Sequence, residues 1–417
     1  MVMSRITIAA LALLAFADLP AANDRAEVEP GRAEPDCGGC HAEALQQHWA
    51  ASAHAQGGRN PIFLSLYYGT GAGGTSEPGY KLDFPDTVGS CAACHSPGEA
   101  LNDLLVADLD AALHDGSPGV HCRFCHDVAS IELDAITGRP RVNMPGIFSI
   151  ELERSGPARC EEVGRRAGRS QSWARRSEVC APCHDAGFWG TPIYASFAEW
   201  KASPYAARGQ TCQDWHMRSR RMPAGGARQS RPGASDQTRL RQAVDTRVTT
   251  KRDSGYLEAE VSITNGGAGH HMPTGSPLRN LILVVRATDE QGRPLRLAAG
   301  PTVPDWGGEG DASTGHYAGL PGKGFAKILR ETWSGASPSA AYWNPTSIAS
   351  DNRIAALATD TSNYLFLAPD RGQVRVDVTL LFRRAFIELA ERKGWELQDV
   401  VLTRQSLTVD APGGVRR

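Results

Sequence analysis

Alternation of apolar and polar residues is concentrated in the C-terminal part of the chain. Runs at 255–265, 278–288, 363–368 and 373–382 either alternate or are rich in Val, Ile and Leu, and turn residues such as "DEQGRP" at 289–294 separate them. Short period-two segments between turn signals predict strands, and several in succession predict a β-sandwich of immunoglobulin-like size. "RRAFIELAERKGW" (Arg383 to Trp395) has helical spacing instead, with Phe386, Leu389 and Ala390 on one face. It predicts one short helix against the sheet. From Cys37 to His184 there are no long periodic helices or strands. Arginines gathered between Arg218 and Arg247 read as a solvated linker. The glycine-rich stretch "YYGTGAGGTSEPGYK" (Tyr67 to Lys81) has no strand signal before it and no helix signal after it. It reads as a flexible surface connection rather than a phosphate cradle.

One apolar run does not fit a folded core. "MVMSRITIAALALLAFADLPAA" has a short basic start, an apolar run from Ile6 to Ala17, and small residues after it. This is the layout of a secretory signal peptide, with cleavage after Ala17 or after Ala21/Ala22. The run is shorter than the roughly 20 residues a spanning helix needs. An exported chain with no membrane span after processing is expected. The 417 residues, 41% hydrophobic, suffice for roughly two or three domains with cores. A formal net charge of −2 gives no reason to expect nucleic acid or an anionic membrane as a partner.

Export would ordinarily predict disulfides among the 10 cysteines. Their spacing points elsewhere. Cys37/Cys40, Cys91/Cys94, Cys122/Cys125 and Cys180/Cys183 are C-x-x-C pairs, each followed at once by a histidine: His41, His95, His126 and His184. With 12 histidines in the chain, four such adjacencies arise by chance about once in a million. Covalent c-type haem explains them: two thiols add to the two porphyrin vinyl groups, and the next residue places a neutral imidazole under the iron. Two four-thiolate zinc sites would use the cysteines but leave the histidines unexplained. Thioredoxin-like pairs would need a βαβ frame that the pattern lacks. Seven histidines lie outside these motifs and outside "CQDWH": His48, His54, His114, His121, His270, His271 and His316. They are enough to put a second imidazole on every iron, and His54, in the helix-compatible "QHWAASAHA", is the best placed. His121 abuts Cys122 and is too constrained to reach its own haem.

Several stretches then read together: "WAASAHA", "SEVCAPCHD" leading into "SFAEWKASPYAARGQTCQDWHM", "NGGAGHHMPTG" and "GLPGKGFAKIL". They resemble a family of exported multihaem c-type cytochromes, related to the tetrahaem cytochromes of nitrification and to cytochrome c-prime-like multihaem domains, over roughly residues 37–405. The resemblance implies a further haem at the segment ending in "TCQDWHM", where Trp215 replaces the second cysteine of the family's motif. Cys212 and His216 keep their spacing. Three readings stay open for them: a haem on one thioether, a site without haem, or a Cys160–Cys212 disulfide. The resemblance also favours His270 or His271, in the loop after the 255–265 run, as a distal ligand. Gly266, Gly267 and Gly269 would let that loop come close to something bulky, and no Gly-Lys-Ser/Thr follows to make a phosphate loop.

The expected layout is a signal peptide over 1–22, a polar linker over 23–36, a multihaem domain of short helices and long loops over 37–218, an Arg-rich linker over 219–242 and a β-sandwich over 243–411. The expected function is electron transfer between periplasmic donor and acceptor proteins through four haems, with a fifth depending on Cys212 and His216. No histidine lies between residues 127 and 183, and this leaves a second function in play. It is an oxidoreductase acting on a small nitrogen or sulfur compound at one iron with an open axial position.

Overall fold

The computed structural model describes residues 49–97, 108–114, 119–121, 124–125, 128–131, 142–144, 147–148, 150–152, 175–217, 219–220, 229–230 and 237–411. The expected signal segment, the first motif (Cys37, Cys40, His41), His48, Cys122, His126 and Cys160 lie outside these residues. Among the described residues no helix is long and apolar enough to cross a membrane.

Nine strands form two antiparallel sheets: β1 Asp245–Asp253, β2 Tyr256–Thr264, β3 Asn280–Asp289, β4 Leu297–Ala299, β5 Gly322–Glu331, β6 Thr346–Asp351, β7 Thr359–Leu367, β8 Val374–Arg383 and β9 Val400–Val409. One sheet has the order β4-β7-β2-β1, the other β6-β5-β3-β8-β9. The pleat explains the packing. In β2 the alternate residues Leu257, Ala259, Val261 and Ile263 are buried and enter a core shared with Leu281, Leu283 and Val285 of β3 and Val376, Val378 and Leu380 of β8. β3 is buried on both faces. Its other side chains, Ile282 and Val284, pack with Val303 and Leu381.

Among the described residues ten short helices accompany the sheets: α1 Pro61–Tyr68, α2 Tyr80–Asp83, α3 Cys91–His95, α4 Leu109–His114, α5 Ala181–His184, α6 Ser196–Lys201, α7 Pro204–Ala207, α8 Cys212–His216, α9 Gln237–Ala243 and α10 Ile387–Lys393. α1 shows why they are short. The Asn60 side chain accepts from the Ile62 and Phe63 amides, Pro61 opens the first turn, and Gly69 closes the last at φ 77°. α9 occupies the end of the stretch expected to be a linker.

The N-terminal helices pack on the five-stranded sheet. Leu66 of α1 joins Ile328, Trp343, Phe386 and Leu389 in one apolar cluster. Polar contacts fix the same junction: Trp343 Nε1 and Asn344 Nδ2 donate to Asp83 Oδ2 at 2.7 and 3.0 Å, and Lys327 Nζ donates to the Pro192 and Ile193 carbonyls at 2.9 and 3.2 Å. Lys393 reaches from α10 to the carbonyls of Ser65, Thr70 and Pro78 at 2.9, 3.2 and 2.7 Å. The Tyr67–Lys81 stretch is therefore tied down, and α2 begins within it. A lysine more than three hundred residues away supplies the tie, and local sequence does not reveal it.

Candidate functional site

Three of the cysteine–histidine motifs fall on one-turn helices. α3 and α8 each begin on a cysteine and end on a histidine, Cys91 to His95 and Cys212 to His216. A separation of four residues puts both side chains on one helix face. α5 is entered through a 3-10 turn, Ser177–Cys180, and ends on His184. α8 is capped reciprocally: Thr211 Oγ1 accepts from the Asp214 amide at 3.2 Å, and Asp214 Oδ2 accepts from the Thr211 amide at 2.7 Å. It is tied to the fourth motif by the Cys212 amide, which donates to Ser177 Oγ at 3.0 Å.

The histidines come in pairs drawn from distant parts of the chain. The His54 and His184 rings lie 6.3 Å apart between centroids, at 81° between planes. His216 and His270 lie 6.1 Å apart, at 9°. Phe63 on His95, by contrast, is a close face-to-face stack at 3.7 Å and 1°. An imidazole nitrogen binds a first-row metal at about 2 Å and its ring centre lies about 1 Å further back, so two imidazoles on opposite sides of one ion have centroids about 6.3 Å apart. Both pairs match that span. Each contains the terminal histidine of a motif and a histidine from outside one.

The rings are held in the form that binds metal. Burial lowers the pKa of His95 to about 4, of His184 to about 3 and of His216 to about 4. It also lowers those of His54 and His270. All five are neutral imidazoles at pH 7. His270 Nδ1 is 2.9 Å from the His271 carbonyl, and His95 Nδ1 is 3.1 Å from the Gly57 carbonyl. With Nδ1 donating in each case, Nε2 keeps a free lone pair. Nδ1 of His216 is buried with no hydrogen-bond partner among the described residues.

The loop that carries His270 is clamped on several sides. Buried Asn265, at the end of β2, donates from Nδ2 to the His270 and Ile354 carbonyls at 2.8 and 3.0 Å, and its Oδ1 accepts from the Ala268 amide at 3.2 Å. Glu199 on α6 accepts from the His271 amide at 3.2 Å and from Thr274 Oγ1 at 2.6 Å. Arg353, 6% exposed, bridges Glu199 and Asp351 at 2.7 Å each. A side chain at Gly267 would stand 2.1 Å from the Gln242 carbonyl, so the close approach that glycine permits here is to α9. His270 faces His216, whereas the His271 ring turns to Glu199, Nδ1 to Oε1 3.7 Å.

The thiols converge as well. Cys94 hydrogen-bonds to Cys183, and Cys180 to Cys212. Cys125 is close enough to raise the pKa of both Cys180 and Cys183. Cysteines of the second, third and fourth motifs and of α8 thus meet in one region. The Arg279 guanidinium, its pKa lowered by burial, depresses the pKa of both His184 and His270 and donates to the Thr274 carbonyl at 3.0 Å. Sequence reasoning missed this arginine, because nothing local marks it.

His54 pairs with the fourth motif's histidine; the first motif, which it follows in sequence, lies outside the described residues. His121 is buried against Trp49, with ring centroids 5.4 Å apart. His114 is exposed at the end of α4, and His316 lies 3.1 Å from Glu391, away from the motifs.

Neither a protein-family model nor a curated protein matches the sequence. Among solved structures, the chain is similar to a penta-haem cytochrome c552 from Thermochromatium tepidum. The TM-score is 0.58 and the identity 21%, over 91% of this chain and 100% of that one. A superposition on a PapD-like domain of human CEP192, TM-score 0.18 at 8% identity over 47% of this chain, is too weak to bear on the fold. The first likeness shows that the chain has the fold of a multihaem c-type cytochrome.

Proposed function

We propose that this protein is an exported multihaem c-type cytochrome that carries electrons between periplasmic donor and acceptor proteins. The observation that carries the reading is the pair of imidazole couples, His54–His184 and His216–His270, whose ring centroids, 6.3 and 6.1 Å apart, match the separation of two imidazoles on one metal ion. His184 ends an intact C-x-x-C-H motif, so the group it would hold is haem c, bonded through Cys180 and Cys183. By the same motif His95 with Cys91 and Cys94, His126 with Cys122 and Cys125, and His41 with Cys37 and Cys40 would hold three more. Haem supplies the one-electron iron couple, with a potential set by axial ligands, burial and nearby charge.

The chain's own residues do the rest. Burial keeps the imidazoles neutral, so they bind iron without competition from protons. The clamp on the 265–274 loop fixes one distal nitrogen. Convergence of the motif thiols would place the attachment points of successive haems close together, as stepwise electron passage requires. Two imidazoles on an iron leave no position for a substrate.

The test is a redox titration of the purified, exported protein, followed by carbon monoxide addition to the reduced form. The expected result is reversible reduction with low-spin haem bands that carbon monoxide leaves unchanged. A spectral shift equal to one haem would oppose the carrier reading. It would point to conversion of a small nitrogen or sulfur compound at an open iron.

A further inference from the structure

α8 ends the C-x-x-C-H series with tryptophan in place of the second thiol, yet it keeps everything else that such a helix supplies. Like α3 it is five residues long, starts on cysteine and ends on histidine. The amide after the histidine closes both helices in the same way, Ser96 N to Ala92 O at 2.7 Å and Met217 N to Gln213 O at 3.0 Å. His216 faces a second imidazole at 6.1 Å, as His184 of an intact motif does at 6.3 Å. Cys212, half-buried, forms no disulfide among the described residues and lies against Cys180 within the group of motif thiols. Trp215, half-buried, takes the place of the missing thiol.

We infer that α8 holds a fifth haem by one sulfur: His216 and His270 ligate its iron, and the Cys212 thiol forms its single thioether bond. This rests on the multihaem reading above and adds a chemically distinct centre to it. The bond balances as a simple addition. The sulfur joins the inner carbon of one vinyl group, the thiol hydrogen goes to the outer carbon, and no electrons are gained or lost. With Trp215 in the place of the second cysteine, the other vinyl group would meet no thiol of this motif and would stay unsaturated. Two axial nitrogens and one covalent bond are sufficient to retain the porphyrin in a buried setting.

The test counts haems by intact mass on the denatured, exported protein, wild type and Cys212→Ala, and maps the haem-bearing peptides. The inference predicts one haem fewer in Cys212→Ala and a haem on the Cys212 peptide. The pyridine haemochrome band of that peptide should lie to the red of the Cys180/Cys183 peptide's, because one vinyl group remains conjugated. Trp215→Cys should keep the haem count and move that band back to the blue. Equal counts in wild type and Cys212→Ala, or a Cys212 peptide cross-linked to another cysteine, would overturn the fifth haem while leaving the four-motif reading standing. A wild-type protein without any covalent haem would overturn both.

Discussion

If His216 and His270 ligate one iron, as proposed, replacing His270 by alanine removes one nitrogen from that iron and little else. The clamp on its loop runs through the His270 carbonyl, which accepts from Asn265 Nδ2 at 2.8 Å, and an alanine keeps that carbonyl. The neighbouring His271 ring is turned to Glu199 and does not face His216. With the ring centroids 6.1 Å apart in the wild type, an alanine methyl falls several ångströms short of an iron bound to His216. One haem equivalent, and only one, should pass from six-coordinate low spin to high spin in the ferric state and bind carbon monoxide when reduced. The ring angles specify which signal is lost. Near-parallel imidazoles, at 9°, split the iron's two π-symmetry d orbitals and give a rhombic low-spin spectrum. Rings at 81° leave those orbitals nearly degenerate, and the spectrum is strongly anisotropic. Low-temperature electron paramagnetic resonance of the oxidised variant should therefore lose a rhombic component and keep the anisotropic one. Persistence of every rhombic component, or loss of the anisotropic one, would refute the His216–His270 assignment.

Arg353→Met removes the cation between Glu199, buried like Arg353 itself, and the more exposed Asp351. Stranding the buried Glu199 carboxylate should cost about 3 kcal/mol, seen as a lower midpoint in denaturant unfolding. The acid limb follows from the same clamp. Burial raises the pKa of Glu199 and Asp351, but Arg353 outweighs it, with help from Thr274 at Glu199, and both carboxyls sit below their ordinary values. Their stabilisation is complete above the unfolded values of about 4 and is lost as pH falls through the lowered folded ones, so thermal midpoints should drop below about pH 4. Arg353→Met should flatten that drop. Lys393→Met removes the donor shared by three carbonyls at the junction of α10 with the Tyr67–Lys81 stretch. Ser65 O keeps the Gly69 amide and Thr70 O keeps the Ser65 hydroxyl, so the loss falls mainly on the Pro78 carbonyl. The substitution should cost about 1–3 kcal/mol, with earlier proteolytic cleavage near residues 70–80. Arg279→Met removes a buried positive charge beside His184 and His270. Loss of that charge should lower the potentials of the haems that His184 and His270 would ligate, read in a spectroelectrochemical titration.

The strands that the sequence revealed are the ones whose burial alternates or is total. β2, β3 and β8 fall close to the runs read at 255–265, 278–288 and 373–382, because their apolar residues fill the shared core. β1, "DTRVTTKRD", escaped notice as an edge strand of the four-stranded sheet that buries little of its length. β5, "GKGFAKILRE", opens on glycines and lysines, and Lys327 is buried there only because the Pro192 and Ile193 carbonyls receive it. The helix read over Arg383–Trp395 begins later, at Ile387, because Phe386 has an extended backbone at φ −59°, ψ 137° and packs into the cluster beneath α10. At the site, the motif helices could be read locally, since four residues from cysteine to histidine make a single turn. The partners of their histidines could not. His54 meets His184, and His216 meets His270, through tertiary packing alone. Arg279 carries no motif around it.

The most direct measurement is the visible spectrum of the exported protein after denaturation in detergent and extraction with acidified acetone, which removes porphyrin held only by ligation. If cysteines hold haem, the colour stays with the polypeptide, with the Soret band and reduced α band of c-type haem. A colourless polypeptide, with all porphyrin in the organic phase or none in either, would contradict covalent haem as the basis of this protein's chemistry.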